Sequence, residues 1–496
     1  MSMQRTDPVA IGTRRELFVD SRLIADLDGV RRRMHRPDPR ESVLTCDRSW
    51  ETGGPGYPSV IDDGERYRLY YRTSPDEEFT CYAHSDDGIA WRKPSLGLVE
   101  YDGSRDNNIV WDGPGTHNFT PFYDTNPSCR ANERYKAVGG VAEEFGGGGL
   151  QLFTSPDGID WELAMDGPLS LSGNFDSQNV VFWDAQADVY RAYWRDHRRD
   201  DPYVPDGRDI KTATSVDLQD WSEPRWLIYR PNRSGSDEPD VGDDPTGDHH
   251  QLYTNGVQPY HRAPHILLGF PARYSDRGWT ASTEALPDRA ERRNLADQDV
   301  SGGRPTRLGT ALWDTLCMAS RNGTDFEVWP EAFVRPGIQR PGSWFYGQAG
   351  CALGMVETPS TYPDAPPQLS LFVQDNARVN GPYRLRRHTL RIDGFASMYA
   401  PLGGGTVTTI PVRADGNELE VNFSTSAGGR LRVELQDAGG DPIPGFEMPS
   451  CDVQYGDELA RTVSWNGESD VSTVTNEPIR LQFLLKDADL YAMQFR

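Results

Sequence analysis

The chain has 496 residues, 36% of them hydrophobic and 10% aromatic, with 49 Gly and 37 Pro, a mixture that suits short strands and tight turns better than long helices. Its 51 basic and 75 acidic residues leave a net charge of −24; a field of that sign repels phosphate and argues against a nucleic acid or an anionic membrane as partner. Cys46, Cys81, Cys129, Cys317, Cys351 and Cys451 are scattered without a Cys-x-x-Cys pair, so neither a disulfide framework nor a zinc site is expected.

An acidic, lysine-poor, arginine-retaining composition is expected of a protein kept soluble in high salt, and equally of a GC-rich genome; composition leaves both open. The start, MSMQRTDPVAIGTRRELFV, lacks an apolar core segment, and no run of 18 apolar residues occurs. A soluble, cytoplasmic chain is therefore expected.

In chain order, 1–45 reads as a lead-in with one edge strand. PSVIDDGERYRLYYR (58–72) is then two alternating strands around a D-G turn, the strongest short hairpin signal. Similar pairs follow at 120–140, 178–195 and 253–273, and a fifth at 348–359 and 366–375 leads to LRRHTLRIDGF (385–395). A turn phrase recurs four times, as SDDGIAW (85–91), SPDGIDW (155–161), SVDLQDW (215–221) and SRNGTDF (320–326). Each unit reads hairpin, third strand, turn with an aromatic anchor, fourth strand. Repeats of a four-stranded unit predict propeller blades, here five over 46–395. Asp and Gly are turn formers, so Asp87, Trp91, Asp157 and Trp161 are read as architectural. From 396 the phrase disappears and alternating strands predict a separate antiparallel β-sandwich over 396–496. The expected fold is all-β: a five-bladed β-propeller followed by a C-terminal β-sandwich.

The turn phrase resembles the Asp-box of sialidase-type propellers, one residue shorter. The whole arrangement resembles the five-bladed glycoside hydrolases of families 43, 32 and 68, which include arabinanases, invertases and levansucrases. GYPSVIDDGERYRLYYR looks like their opening hairpin, in which an Asp before the Pro is base or nucleophile; here that position is Tyr57. FDSQNVVFWD (175–184) looks like the segment holding the transition-state-stabilising Asp of family 32, which falls on Gln178 here. Asp176 precedes it by two and shares its strand face. The Glu-Cys acid motif of these families has no counterpart in the chain. The resemblance implies a glycosidase on a carbohydrate substrate.

Glycoside hydrolysis usually needs two carboxyl groups, one protonated and one ionised, and in a propeller they come from the starts of inner strands. Asp176 is the leading candidate; a turn-capping Asp is the competing reading. Glu51 in SWETGGPGY and Asp248 in TGDHHQLY also precede inner strands, and both compete with ordinary loop acids. Tyr57 is a candidate nucleophile or base. Arg72, Arg195 and Arg273 share the ends of second strands, and Arg208 returns from a third. Their forked donors suit a carboxylate or sulfate, hence an anionic sugar of uronate, sialic-like or sulfated type, against the alternative of surface ion pairs. His117 and His250 are candidate acid/base or hydroxyl-binding groups, and Tyr253 a stacking platform.

DEPDVGDDPTGD (237–248) lacks the order of an EF-hand, and GGGG (146–149) precedes a strand and so cradles no phosphate. No cofactor is expected, although a structural calcium or sodium ion is compatible. Three functions stay open: hydrolysis of an oligo- or polysaccharide, eliminative cleavage of a uronate with Tyr57 or a His as base, and carbohydrate binding without turnover. Oligomeric state is left open.

Overall fold

In the computed structural model, residues 7–75, 77–142, 148–198, 207–232, 251–298, 307–376, 382–475 and 477–496 are described. Asp63 accepts the backbone N–H groups of Glu65 and Arg66 and so closes the D-G turn, which folds Tyr67–Thr73 back on Gly56–Asp62. Phe79–Ser85 and Ile109–Trp111 complete this first four-stranded sheet. The second sheet is Thr120–Tyr123, Tyr135–Gly139, Gln151–Ser155 and Glu162–Leu163. The third is Val180–Asp184, Val189–Arg198, Gly207–Ser215 and Arg225–Trp226.

The fourth sheet has seven strands. Its second strand is split into Ala263–Gly269 and Ala272–Asp276, because Pro271 between them has no N–H to continue the ladder. Ala311–Ser320 and Asp325–Val334 follow, and Ile228–Pro231 adds in parallel along the outer edge. The fifth sheet joins Val356–Thr358, Gln368–Asp375 and Arg384–Leu390 to Asp38–Thr45, an outer strand lent by the N-terminal segment. The first strand of the fifth sheet contacts Gly56–Asp62 of the first, and Ser59 bridges to Leu353. The five blades thus close into a ring.

The recurring phrase does the same work four times. Ser85 Oγ accepts from Gly88 N at 2.9 Å, while Asp87 Oδ1 accepts from the N–H groups of Ile89 and Ala90. Ser155–Asp157 and Ser215–Asp217 repeat these bonds, and in the fourth blade Asn322 Oδ1 takes the carboxylate's part. The aromatic that follows packs on the preceding blade: Trp91 against Phe372, Trp161 against Tyr70 and Phe326 against Tyr193.

The N-terminal segment has a larger part than a lead-in. Val9–Gly12, Arg15–Leu17, Ile24–Asp28 and Arg31–Met34 pair with C-terminal strands in one ten-stranded sheet. The reading of 396–496 as a unit of its own is corrected accordingly. Ile479–Phe495 is long enough to pair with several neighbours, and the N-terminal strands cover edges that would otherwise stay open. Phe18, Leu23 and Val30 pack into the same core as Val407, Val433 and Phe483. Asp393, fully buried, ties this sheet to the ring by accepting from Arg15, Tyr260, Arg262 and Asn422. Among the described residues no helix is long and apolar enough to cross a membrane.

Candidate active site at one end of the ring

Inner strands start, second strands end and third strands start at the same end of a propeller, so side chains at those positions converge. Here they line a cavity of about 380 Å³ whose walls include Tyr57, Arg72, His117, Asp176, Tyr253 and Asp375.

Asp176 precedes the first strand of the third blade. Asn174 Oδ1 accepts from Asp176 N at 3.0 Å and from Arg195 Nη2 at 3.0 Å, fixing the turn and the guanidinium together. Arg195, 2% exposed, also donates to Asp176 Oδ2 at 2.9 Å. The other oxygen, Oδ1, lies 3.1 Å from His117 Nε2. His117 belongs to the turn Thr116–Asn118 that enters the second blade. The next residue, Asn118, donates to Phe175 O and Ser177 O on either side of Asp176. One buried amide therefore pins the two loops against each other.

The far side of the imidazole is held too. His117 Nδ1 lies 2.9 Å from Glu78 Oε1, and Arg72 Nη1 donates to the same oxygen at 3.3 Å. Burial alone would raise the Asp176 carboxyl, but the His117 bond and the Arg195 charge outweigh it and hold it well below the usual carboxylate range. Glu78 is lowered in the same way, burial being overcome by His117 and Arg72. For His117 burial works against the charge, yet the two carboxylates win and its pKa lies above the ordinary value. The imidazole thus lies between two carboxylates that favour its protonated form, with the Arg72 guanidinium, 3.1 Å from Nδ1, opposing it.

Two tyrosines face this trio. Tyr57 adopts φ +43°, a left-handed conformation unusual for a non-glycine residue, and Arg72 stacks 4.9 Å from its ring. Burial, then the neighbouring Tyr253, drive the Tyr57 phenol far above its ordinary range. The Tyr57 ring lines the cavity and is partly exposed, so its reading as nucleophile or base stays open. Tyr253 behaves oppositely. Burial raises it, but Arg195 and Arg208, stacked 4.7 and 5.2 Å from its ring, bring it down to about 8.

The remaining sequence candidates divide. Arg208 reaches Gln251 Oε1 at 2.7 Å and supports Tyr253 from behind. Arg273 is turned away to Asp314, at 2.6 and 2.9 Å, and lines a neighbouring depression instead. Glu51 is not a cavity carboxylate. It is 1% exposed, and its oxygens accept from Tyr71 Oη, Asp47 N, Arg48 N and Lys93 Nζ. Gln178 is not a substrate contact either, since its amide is spent on Tyr57 O, Pro58 O and Ser59 Oγ of the first blade. Asp248 and His250 lie outside the described residues.

Sequence reasoning missed Glu78, Asn118 and Asp375. Glu78 stands just before a third strand, the position that drew attention to Arg208, and Asp375 ends a second strand as Arg72 does. Among the described residues no group of three or more His, Cys, Asp or Glu could hold a metal ion.

No protein-family model matches the sequence, and no curated protein matches it significantly. Solved structures similar to the chain include five-bladed β-propeller glycoside hydrolases and a deacetylase, all at low identity. An N-acetylgalactosamine deacetylase from F. plautii, in complex with blood group B trisaccharide, is 13% identical, with 74% of this chain and 97% of that one covered and a TM-score of 0.42. A thermostable family-43 glycoside hydrolase is 13% identical over 71% and 95%, with a TM-score of 0.39. A family-32 β-fructofuranosidase of Bombyx mori, mutated and bound to sucrose, is 9% identical over 94% of each chain, with a TM-score of 0.38.

Proposed function

We propose that the protein is a glycosidase that cleaves an oligo- or polysaccharide in this cavity. The observation that carries the reading is the Asp176–His117–Glu78 chain, open to a pocket with aromatic and arginine walls. Glycosidic cleavage needs a proton for the leaving oxygen and negative charge beside the developing oxocarbenium centre. The two carboxylates lining the cavity, Asp176 and Asp375, are both held low, burial being outweighed in Asp375 by Arg340 and Arg386. Neither therefore supplies a carboxylic proton.

His117, whose proton the Asp176 and Glu78 carboxylates favour, is assigned as proton donor. Asp176 is the anion facing the sugar or its attacking water, and Glu78 orients the imidazole from behind. Tyr57, partly exposed on the cavity wall, offers its ring to the sugar. Arg72, whose guanidinium lies on the cavity wall, suits a carboxylate or sulfate on the substrate, while Arg195 is buried behind Asp176 and acts through it.

Eliminative cleavage of a uronate is the second reading, Arg72 on the cavity wall being the cation that would balance its carboxylate. The deciding experiment incubates the purified protein with neutral, uronate and sulfated oligosaccharides. Reducing sugar released without an unsaturated product supports hydrolysis. An ultraviolet-absorbing unsaturated uronate supports elimination, and binding without either product leaves only a carbohydrate-binding propeller.

A further inference from the structure

A second depression of about 580 Å³ lies between the fourth and fifth blades. It shares Gln374 and Asp375 with the cavity, so one wall separates and joins the two. Arg36, Arg40, Arg335, Arg340 and Arg386 line it, against two aspartates, Asp38 and Asp375. In a chain of net charge −24 this gathers cations where the average field would place anions.

The aspartates do not use the arginines up. Asp375 accepts from Arg340 at 2.6 and 2.8 Å and from Arg386 at 3.0 Å, whereas Asp38 is largely exposed and 3.8 Å from Arg40. Arg36 donates to Ala332 O at 3.1 Å and feels Arg335 as a like charge, offset in part by Glu331. Arg335 is exposed and makes no hydrogen bond or ion pair with any described residue. His388 is 8% exposed and lines the same depression, and its Nδ1 has no hydrogen-bond partner among the described residues. That nitrogen is shielded from the groove, so His388 shapes its floor while the arginines supply the exposed polar groups.

We propose that this groove binds the continuation of an anionic glycan whose cleaved residue sits in the cavity. Arg36, Arg335 and Arg340 take its carboxylate or sulfate-ester groups. The inference rests on the carbohydrate reading above. A volume in the range of organic-ligand sites, arginines on both blade walls and a wall shared with the cavity fit a chain of sugars better than one small oxyanion.

The test is titration calorimetry on the full chain carrying Asp176→Asn, which blocks turnover, with and without Arg36→Ala and Arg335→Ala together. The probes are a sulfated hexasaccharide, a galacturonate hexamer, a neutral hexamer and inorganic sulfate. Arg335→Glu alone, at a side chain without partners, serves as a second variant if the double one melts early. The expected result is a loss of about tenfold or more, as charged hydrogen bonds are removed, for one or both anionic hexamers and none for the neutral one. Which anionic hexamer loses affinity tells carboxylate from sulfate. Unchanged affinity for both overturns the proposal, and so does inorganic sulfate binding as tightly as a hexamer. If the wild-type protein cleaves no sugar while the variants still lose the anionic hexamer, the groove stands and only cleavage falls.

Discussion

His117 and Asp176 come from different blades, yet their side chains meet at 3.1 Å because Asn118, beside the one, bonds the carbonyls that flank the other. Removing the carboxylate charge tests what that meeting does. Asp176→Asn should lower kcat/KM by about 10²–10⁴, the range of a lost acid–base partner. Arg195 keeps Asn174 Oδ1 as acceptor, so the variant should still unfold cooperatively. Near-normal turnover in a well-folded variant would remove Asp176 from the chemistry.

Glu78 is assigned to positioning and pKa control, and pH profiles read that role. With His117 as donor, the rate should fall on the alkaline side as His117 loses its proton, at a pH above its ordinary value. Glu78→Gln removes one of the charges that raise it, so the alkaline limb of kcat/KM should move to lower pH. An unmoved limb would mean that Glu78 merely packs. Stability follows the same signs. The raised His117 contributes fully below about pH 6.5 and is lost as pH climbs through its folded pKa. The lowered Asp176 and Glu78 contribute above the usual carboxylate range and are lost on acidification through their folded values. All three therefore contribute together between about pH 5 and 6.5, where melting temperature should show the largest difference between wild type and His117→Gln.

Four blades were legible because the phrase that ends their third strands is largely local: a serine and an Asp or Asn bond to their own turn, and only the aromatic reaches beyond it to the preceding blade. The arginines were legible only as positions. Arg72 does reach the cavity and Arg195 lies buried behind its Asp176, but the same strand position in the fourth blade turns Arg273 to Asp314, since the splitting of that strand around Pro271 changes what lies opposite. Glu51 misled for a related reason. Sequence shows that an acid precedes an inner strand, but not that Tyr71 and Lys93, far along the chain, close over it. The N-terminal strands were hardest to read, their partners lying some 400 residues away at the opposite end of the chain.

Glu51 gives the complementary prediction. Lys93 Nζ donates to it at 2.6 Å with both side chains largely shielded, and keeps Thr45 O and Asp47 Oδ1 as its other partners. Glu51→Gln should cost on the order of 1–3 kcal/mol of stability, read by urea denaturation, while kcat in the folded protein stays near wild type. A large drop in kcat without loss of stability would return Glu51 to the active site.

The fourth phrase supplies its own control for the other three. Asn322 shows that the turn needs an oxygen acceptor rather than a charge, because its amide oxygen takes the N–H groups of Thr324 and Asp325 just as Asp157 Oδ1 takes those of Ile159 and Asp160. Asp157→Asn should accordingly be nearly neutral, whereas Asp157→Ala leaves two backbone donors without their acceptor and should cost about 1–2 kcal/mol. The loss should also loosen Trp161, whose ring seals the second blade against Tyr70 of the first, so tryptophan fluorescence should shift in the Ala variant alone. Equal destabilisation by Asn and Ala would show that the carboxylate charge matters in this blade, and that the likeness to Asn322 is one of shape only.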